Sequence, residues 1–171
     1  MVTYFEMSIA ASCSIADTQQ LKLAQDMLDH LLSLNARNVS FQDNADWVLE
    51  KLNSLGYITG IITNGMEDIQ MSKILELGLP ERVHCITISA QARAHKPLAP
   101  VFDLALKRAD VRADQSLMIG DHPTNDVAGG IRSGFTGVYY NPNQLPVARA
   151  FLDLDEKPDH EIHQLSDVIT L

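Results

Sequence analysis

Apolar positions along the chain fall first into one amphipathic helix and then into a long alternation of helical stripes and short apolar runs. Residues 1–14 carry no usable period. Asp17 or Thr18 then caps a helix over residues 18–34, with Leu21, Ala24, Leu28, Leu31 and Leu32 on one side. Lys22, Gln25, Asp26 and Asp29 fall largely elsewhere, as solvent-facing positions should. The polar break Asn35-Ala-Arg-Asn38 follows, and a boundary near Ser40 divides the chain into residues 1–40 and 41–171. Asp43 or Asn44 caps the next helix, which carries Ala45, Val48, Leu49 and Leu52 and stops at Gly56. Trp47 on that helix is assigned to core or interface packing.

Beyond Gly56 the period changes repeatedly between strand and helix. Tyr57 to Thr63 reads as a buried strand ending in an Asn-Gly turn, followed by a helix over roughly Met66 to Leu77 that Gly78 and Pro80 close. Val83 to Ser89 is a second strand, rich in β-branched residues. The loop from Ala90 to Pro97 leads to a helix over Ala99 to Ala109. Leu117 to Ile119, bounded by Gly120, is a third strand, and Thr124 or Asn125 caps a helix reaching about Arg132. Thr136 to Tyr140 is a fourth strand. The tail offers a short strand near Asp159 to Ile162 and a closing helix over Gln164 to Leu171. Such alternation demands an α/β fold: a parallel, Rossmann-like sheet with helices on both faces and right-handed crossovers.

Charge narrows the partners. With 22 Asp and Glu against 13 Lys and Arg, a net charge of −9 and no basic run, the chain is a poor match for nucleic acid or an anionic membrane surface. Its apolar runs fall short of a membrane span, and its first residues lack the basic region of a signal peptide. Cys13 and Cys85 lie far apart with no metal-ligand spacing, which fits unpaired thiols in a reducing compartment and an expected cytoplasmic location.

The candidate chemistry sits where the strands end. In a parallel α/β sheet the carboxyl ends of the strands converge on one crevice. Thr63 offers a hydroxyl there, and Asn64 and Gly65 offer backbone N–H groups at a helix start, a cradle for an anion. Lys96, fixed ahead of Pro97, offers an ammonium. Asp121 leaves its strand directly and Asp126 lies a little over one turn into the next helix, a pair of hard oxygen donors suited to Mg²⁺. Taken singly, each has a plainer reading: a turn, a solvated loop lysine, a turn acid and a first-turn acid favoured by the helix dipole. Arg93 and His95 read as solvent-facing, with contact to a substrate open to either. Taken together, the groups match the binding of a phosphoryl group with its metal.

The series Ile61-Ile-Thr63-Asn64-Gly65, Lys96-Pro97 and Gly120-Asp121-His-Pro-Thr-Asn-Asp126 resembles motifs two, three and four of the haloacid dehalogenase-like hydrolases, over about Ser40 to Leu171. That resemblance implies that Thr63, Asn64, Gly65 and Lys96 bind phosphate, that Lys96 also neutralises the nucleophile, and that Asp121 and Asp126 hold Mg²⁺. The acidic pair resembles the phosphatase branch, so a small phosphorylated metabolite, a nucleotide or sugar phosphate, is the implied substrate. Residues 1–40 would be part of a mobile helical cap.

One motif of the family has no counterpart. The family's first strand ends in Asp-x-Asp, whose first carboxylate is the nucleophile; the sole Asp-x-Asp here, Asp153-Leu-Asp155, follows the fourth motif. The expectation is therefore a truncated, catalytically impaired phosphohydrolase whose central first strand is missing. The alternative is a non-catalytic phosphate- and Mg²⁺-binding module, or a piece completing its fold with a partner. The two strand edges left facing each other would then be open to self-association or to direct closure.

Overall fold

The structure, a computed structural model, describes residues 18–37 and 39–171. Five parallel strands form two sheets, ordered β1–β2 and β3–β4–β5. β1 (Gly60–Thr63) pairs with β2 (Cys85–Ile88), Gly60 opposite Cys85 and Thr63 opposite Ile88. β3 (Leu117–Gly120) pairs with β4 (Thr136–Tyr140), and β4 with β5 (His160–Ile162). Among the described residues β1 and β3 each have a strand partner on one side only.

Alternation along β1 sends neighbouring side chains to opposite faces. Ile62 packs with Val101, Phe102, Met118 and Phe135, a cluster to which both sheets and the helix Ala99–Ala109 contribute. Ile61 goes to the other face, with Ile74, Leu79 and Ile88. Helices therefore cover both faces of β1–β2, as the sequence pattern requires. A third cluster, Val127, Tyr139 and Phe151, seats the tail of the chain on β4, the Tyr139 and Phe151 rings meeting edge to face at 5.1 Å.

The helix Ala99–Ala109 and the strand β4 match their sequence-derived bounds. The others shift for physical reasons. β1 begins at Gly60, because Tyr57 and Ile58 are left 60% and 51% exposed and pair with nothing that would extend the strand. β2 ends at Ile88, where Ser89–Ala92 turns into a short helix inside the expected loop. Asn44 occupies the N-cap position of Ala45–Ser54 but makes no side-chain cap. The carboxylate of Asp43 accepts the Leu165 N–H and the Tyr140 hydroxyl instead, tying that corner to the end of the chain. Trp47, expected to pack, is 51% exposed. The tail adds a short helix at Val147–Ala150 and closes with a 3₁₀ turn at Leu165–Thr170.

The first described helix runs Thr18–Arg37 and packs against Glu67–Glu76 through its apolar stripe, of which Ala24 and Leu28 are buried while Leu21 and Leu31 remain largely exposed. The cap alternative at Asp17 lies outside the described residues.

Candidate functional site

β1 and β3 deliver their carboxyl ends to the same side of the molecule, and the loops that follow them meet at Lys96. Asn64, the first residue past β1, clamps that lysine's backbone: its Oδ1 accepts the Lys96 N–H at 2.8 Å and its Nδ2 donates to the Lys96 carbonyl at 3.1 Å. The side-chain amide thus stands in for a strand neighbour and fixes where the lysine leaves the loop. From there the Lys96 ammonium spans the two sheets. It donates to the Ile62 carbonyl of β1 at 2.8 Å and pairs with Asp126 Oδ1, beyond β3, at 2.6 Å. Both side chains are nearly buried, 11% and 9% exposed, so the pair is screened little by solvent.

Asp126 is held by the chain that precedes it. The helix expected over this stretch forms, but it opens with a π-helical turn at Pro123–Ala128 before Gly129–Arg132, and its cap is His122, not Thr124 or Asn125. His122 Nδ1 accepts the Asn125 N–H, and the His122 N–H donates to Asp126 Oδ2 at 3.1 Å. Pro123 at the first helical position is the sequence signal that marks residue 122 as the cap. Gly120 makes room: a Cβ there would come within 2.4 Å of Asp126 Oδ2. Only a residue without a side chain lets Asp126 fold back over the end of β3.

Asp121 is exposed, and it lines one cavity of about 370 Å³ together with Lys96 and Asp126. Its charge reaches the neighbouring strand. The hydroxyls of Tyr139 and Tyr140 are pushed above their usual range, mainly by burial, with Glu161 and Asp43 respectively adding more than Asp121 does. Asp121, Asp126 and Lys96 are therefore brought together.

Thr63 is placed differently. It directly follows the Ile62 carbonyl that Lys96 grips, but its hydroxyl donates to Gln70 Oε1 at 3.1 Å and it lines a neighbouring hollow with Ser40, Gln42 and Lys73. Of the expected backbone cradle, the Gly65 N–H is already spent on Ser89 Oγ at 3.0 Å. Ser89 is fully buried and also meets His95 Nδ1 at 2.8 Å. Sequence reasoning singled out neither role. The signal available was position alone: Ser89 follows the last residue of β2, at the same carboxyl edge as Thr63 and Asp121. Asp153 and Asp155 lie on an exposed turn and do not line the cavity.

Among the described residues no three His, Cys, Asp or Glu side chains gather as a metal cluster. Mg²⁺ asks for less, commonly one or two carboxylates completed by water and phosphate oxygens. An accessible Asp121 beside a fixed Asp126 fits that demand, though Asp126 already engages both of its oxygens.

Parallel α/β sheets with a lysine and two carboxylates at their carboxyl edge define a Rossmann-like class of fold, and the comparisons narrow it. The family model described as haloacid dehalogenase-like hydrolase matches residues 4–139, and this chain belongs to that family. It is 30% identical over 146 residues to the ribulose-1,5-bisphosphate 5-phosphatase of Halopiger xanaduensis, covering 84% of this chain and 61% of that protein. It is 31% identical over 121 residues to a glyceraldehyde 3-phosphate phosphatase of Pyrococcus furiosus, covering 71% of this chain and 50% of that one. The matches thus span only half to three-fifths of these relatives. Among solved structures, a 2-haloacid dehalogenase of Pseudomonas syringae pv. Tomato superposes with a TM-score of 0.78 at 28% identity, over 94% of this chain and 64% of that one.

Proposed function

We propose that this chain carries the phosphate- and Mg²⁺-binding part of a phosphohydrolase acting on a small phosphorylated metabolite, and that alone it turns over little or no substrate. The observation that carries the proposal is the near-buried Lys96–Asp126 pair bridging the two sheets, with Asp121 lining the same cavity. Lys96 would supply positive charge to a phosphoryl oxygen and the Asn64 N–H would hold another, while Thr63 would join them only by releasing Gln70 and turning from its hollow toward the cavity. Asp121 and Asp126 would hold Mg²⁺, which when bound neutralises phosphate charge and orients it. Relatives named as phosphatases of ribulose bisphosphate and glyceraldehyde 3-phosphate support that substrate class.

Hydrolysis through a covalent intermediate needs a nucleophile. The sequence has no Asp-x-Asp ahead of Thr63, and the carboxylates bordering the cavity are the two assigned to metal. A second reading, a non-catalytic module that completes its fold with a partner, is favoured by one feature. Lys96 and Gly65 are already satisfied internally, by Asp126, the Ile62 carbonyl and Ser89.

A colorimetric phosphatase screen of the chain with and without Mg²⁺, run beside calorimetric titrations of Mg²⁺ and inorganic phosphate, separates the two. Binding without turnover is the expected result. Mg²⁺-dependent turnover abolished by Asp121→Asn would restore a full enzyme, and failure to bind either ion would remove the phosphate assignment.

A further inference from the structure

The hydroxyl of Thr63 has one proton to give, and Gln70 holds it: Thr63 Oγ1 donates to Gln70 Oε1 at 3.1 Å. Gln70 closes the first turn of the helix Glu67–Glu76, its N–H donating to the Met66 carbonyl at 3.0 Å. Cα–Cβ bonds tilt back toward a helix's start, so this side chain reaches over the Asn64-Gly65 turn to the end of β1. Gly65 leaves it the path. A Cβ on Gly65 would lie 2.6 Å from Gln70 Nε2 and 2.8 Å from Gln70 Cγ, so the glutamine fills space that a side chain at Gly65 would contest. Gln70 thus touches both ends of the Thr63-Asn64-Gly65 stretch. It lines the hollow beside Thr63, not the cavity of Lys96, Asp121 and Asp126.

We infer that Gln70 is a latch on the phosphate site: it keeps the Thr63 hydroxyl out of the cavity, and phosphate must break the Thr63–Gln70 bond to recruit it. The latch presupposes the phosphate reading proposed above, and it sets how tightly that site binds. Unprotonated phosphoryl oxygens only accept hydrogen bonds, and a hydroxyl already donating to an amide has no second proton to offer. Threonine is stiff at χ1 and moves between a few staggered positions, so leaving Gln70 is a discrete change of rotamer. Phosphate affinity is then lowered by the fraction of molecules in which the hydroxyl stays on Gln70. Gln70 acts through Thr63 without touching the phosphate, as a positioning residue.

The test titrates inorganic phosphate, in the presence of Mg²⁺, into the full chain, Gln70→Met, Thr63→Val and the double variant, by calorimetry. Methionine keeps the length and helix preference of glutamine and removes the acceptor. Gln70→Met should bind phosphate about three- to tenfold more tightly, the worth of one ordinary hydrogen bond no longer broken. The double variant should bind as Thr63→Val does, because the gain passes through the hydroxyl. A glutamine with a merely structural role would lose stability on substitution and give no gain. A second measurement needs no variant: three-bond couplings about the Thr63 Cα–Cβ bond should change from one rotamer to another as phosphate saturates the parent chain. Equal affinity in the parent and Gln70→Met, a gain that survives in the Thr63→Val background, or Thr63 couplings unchanged at saturation each overturns the latch and leaves phosphate binding standing. Failure of the parent and of every variant to bind phosphate is a different result, which removes the phosphate reading and the latch with it.

Discussion

Replacing Lys96 by Met removes the charge that bridges the sheets while keeping most of the volume. Asp126 would then be a carboxylate 9% exposed with Oδ1 unpartnered and only the His122 N–H left on Oδ2. Removing one partner of a buried pair costs about 3–5 kcal/mol, because the remaining charge is stranded. The retained His122 bond puts this case near the lower end, about 3 kcal/mol, and in a chain of this size that is about 6–12 °C in Tm. The converse change, Asp126→Asn, keeps an acceptor for His122 but faces Lys96 with a neutral group. Combining the two leaves no stranded charge, so the double variant should be more stable than Lys96→Met alone. Urea denaturation of the four proteins, followed by circular dichroism, gives the coupling directly as a double-mutant cycle. Lys96→Met within about 0.5 kcal/mol of the parent, the range of an ordinary surface change, would show that the pair is neither buried nor a link between the sheets.

Three further outcomes follow from the same geometry. Gly120→Ala drives a Cβ to within 2.4 Å of Asp126 and should cost about 1–3 kcal/mol as an overpacked site, with loss of Mg²⁺ binding by calorimetry. Ser89→Ala strands the Gly65 N–H beside a fully buried position and should cost about 1–3 kcal/mol while weakening phosphate binding, measured by denaturation and titration on one preparation. Burial holds the Cys85 thiol above its ordinary value of 9.0, against the opposing pull of Arg108. The unfolded thiol ionises first, so this contribution to stability is whole below pH 9.0 and is lost as pH rises through the higher folded value. Cys85→Ala should therefore flatten the alkaline fall in urea midpoint, and an unchanged slope would refute the assignment.

Much of the fold was legible because periodicity and punctuation agree. Pro97, which keeps Lys96 extended and can start a helix, marks the beginning of Ala99–Ala109, and an apolar run between Gly134 and Asn141-Pro-Asn delimits β4. The π-helical turn was not legible, since it depends on Asp126 folding back onto the His122 N–H, a contact set by tertiary packing against Lys96. The same holds for Asn64: its side chain clamps Lys96, 32 residues away, so local sequence marks only a turn. Thr63, Lys96, Asp121 and Asp126 were selected because strand ends converge. The structure unites the last three around one cavity and turns the hydroxyl of Thr63 to Gln70.

Amide chemical shifts of the isotope-labelled chain, followed through a titration of Mg²⁺ and then inorganic phosphate, test the central claim most directly. Shifts concentrated at Asn64, Lys96 and residues 120–126 are expected, with the phosphate response strengthened by Mg²⁺ and lost in Asp121→Asn. Shifts scattered over the surface, or a phosphate response indifferent to both Mg²⁺ and Asp121, would contradict a single shared site.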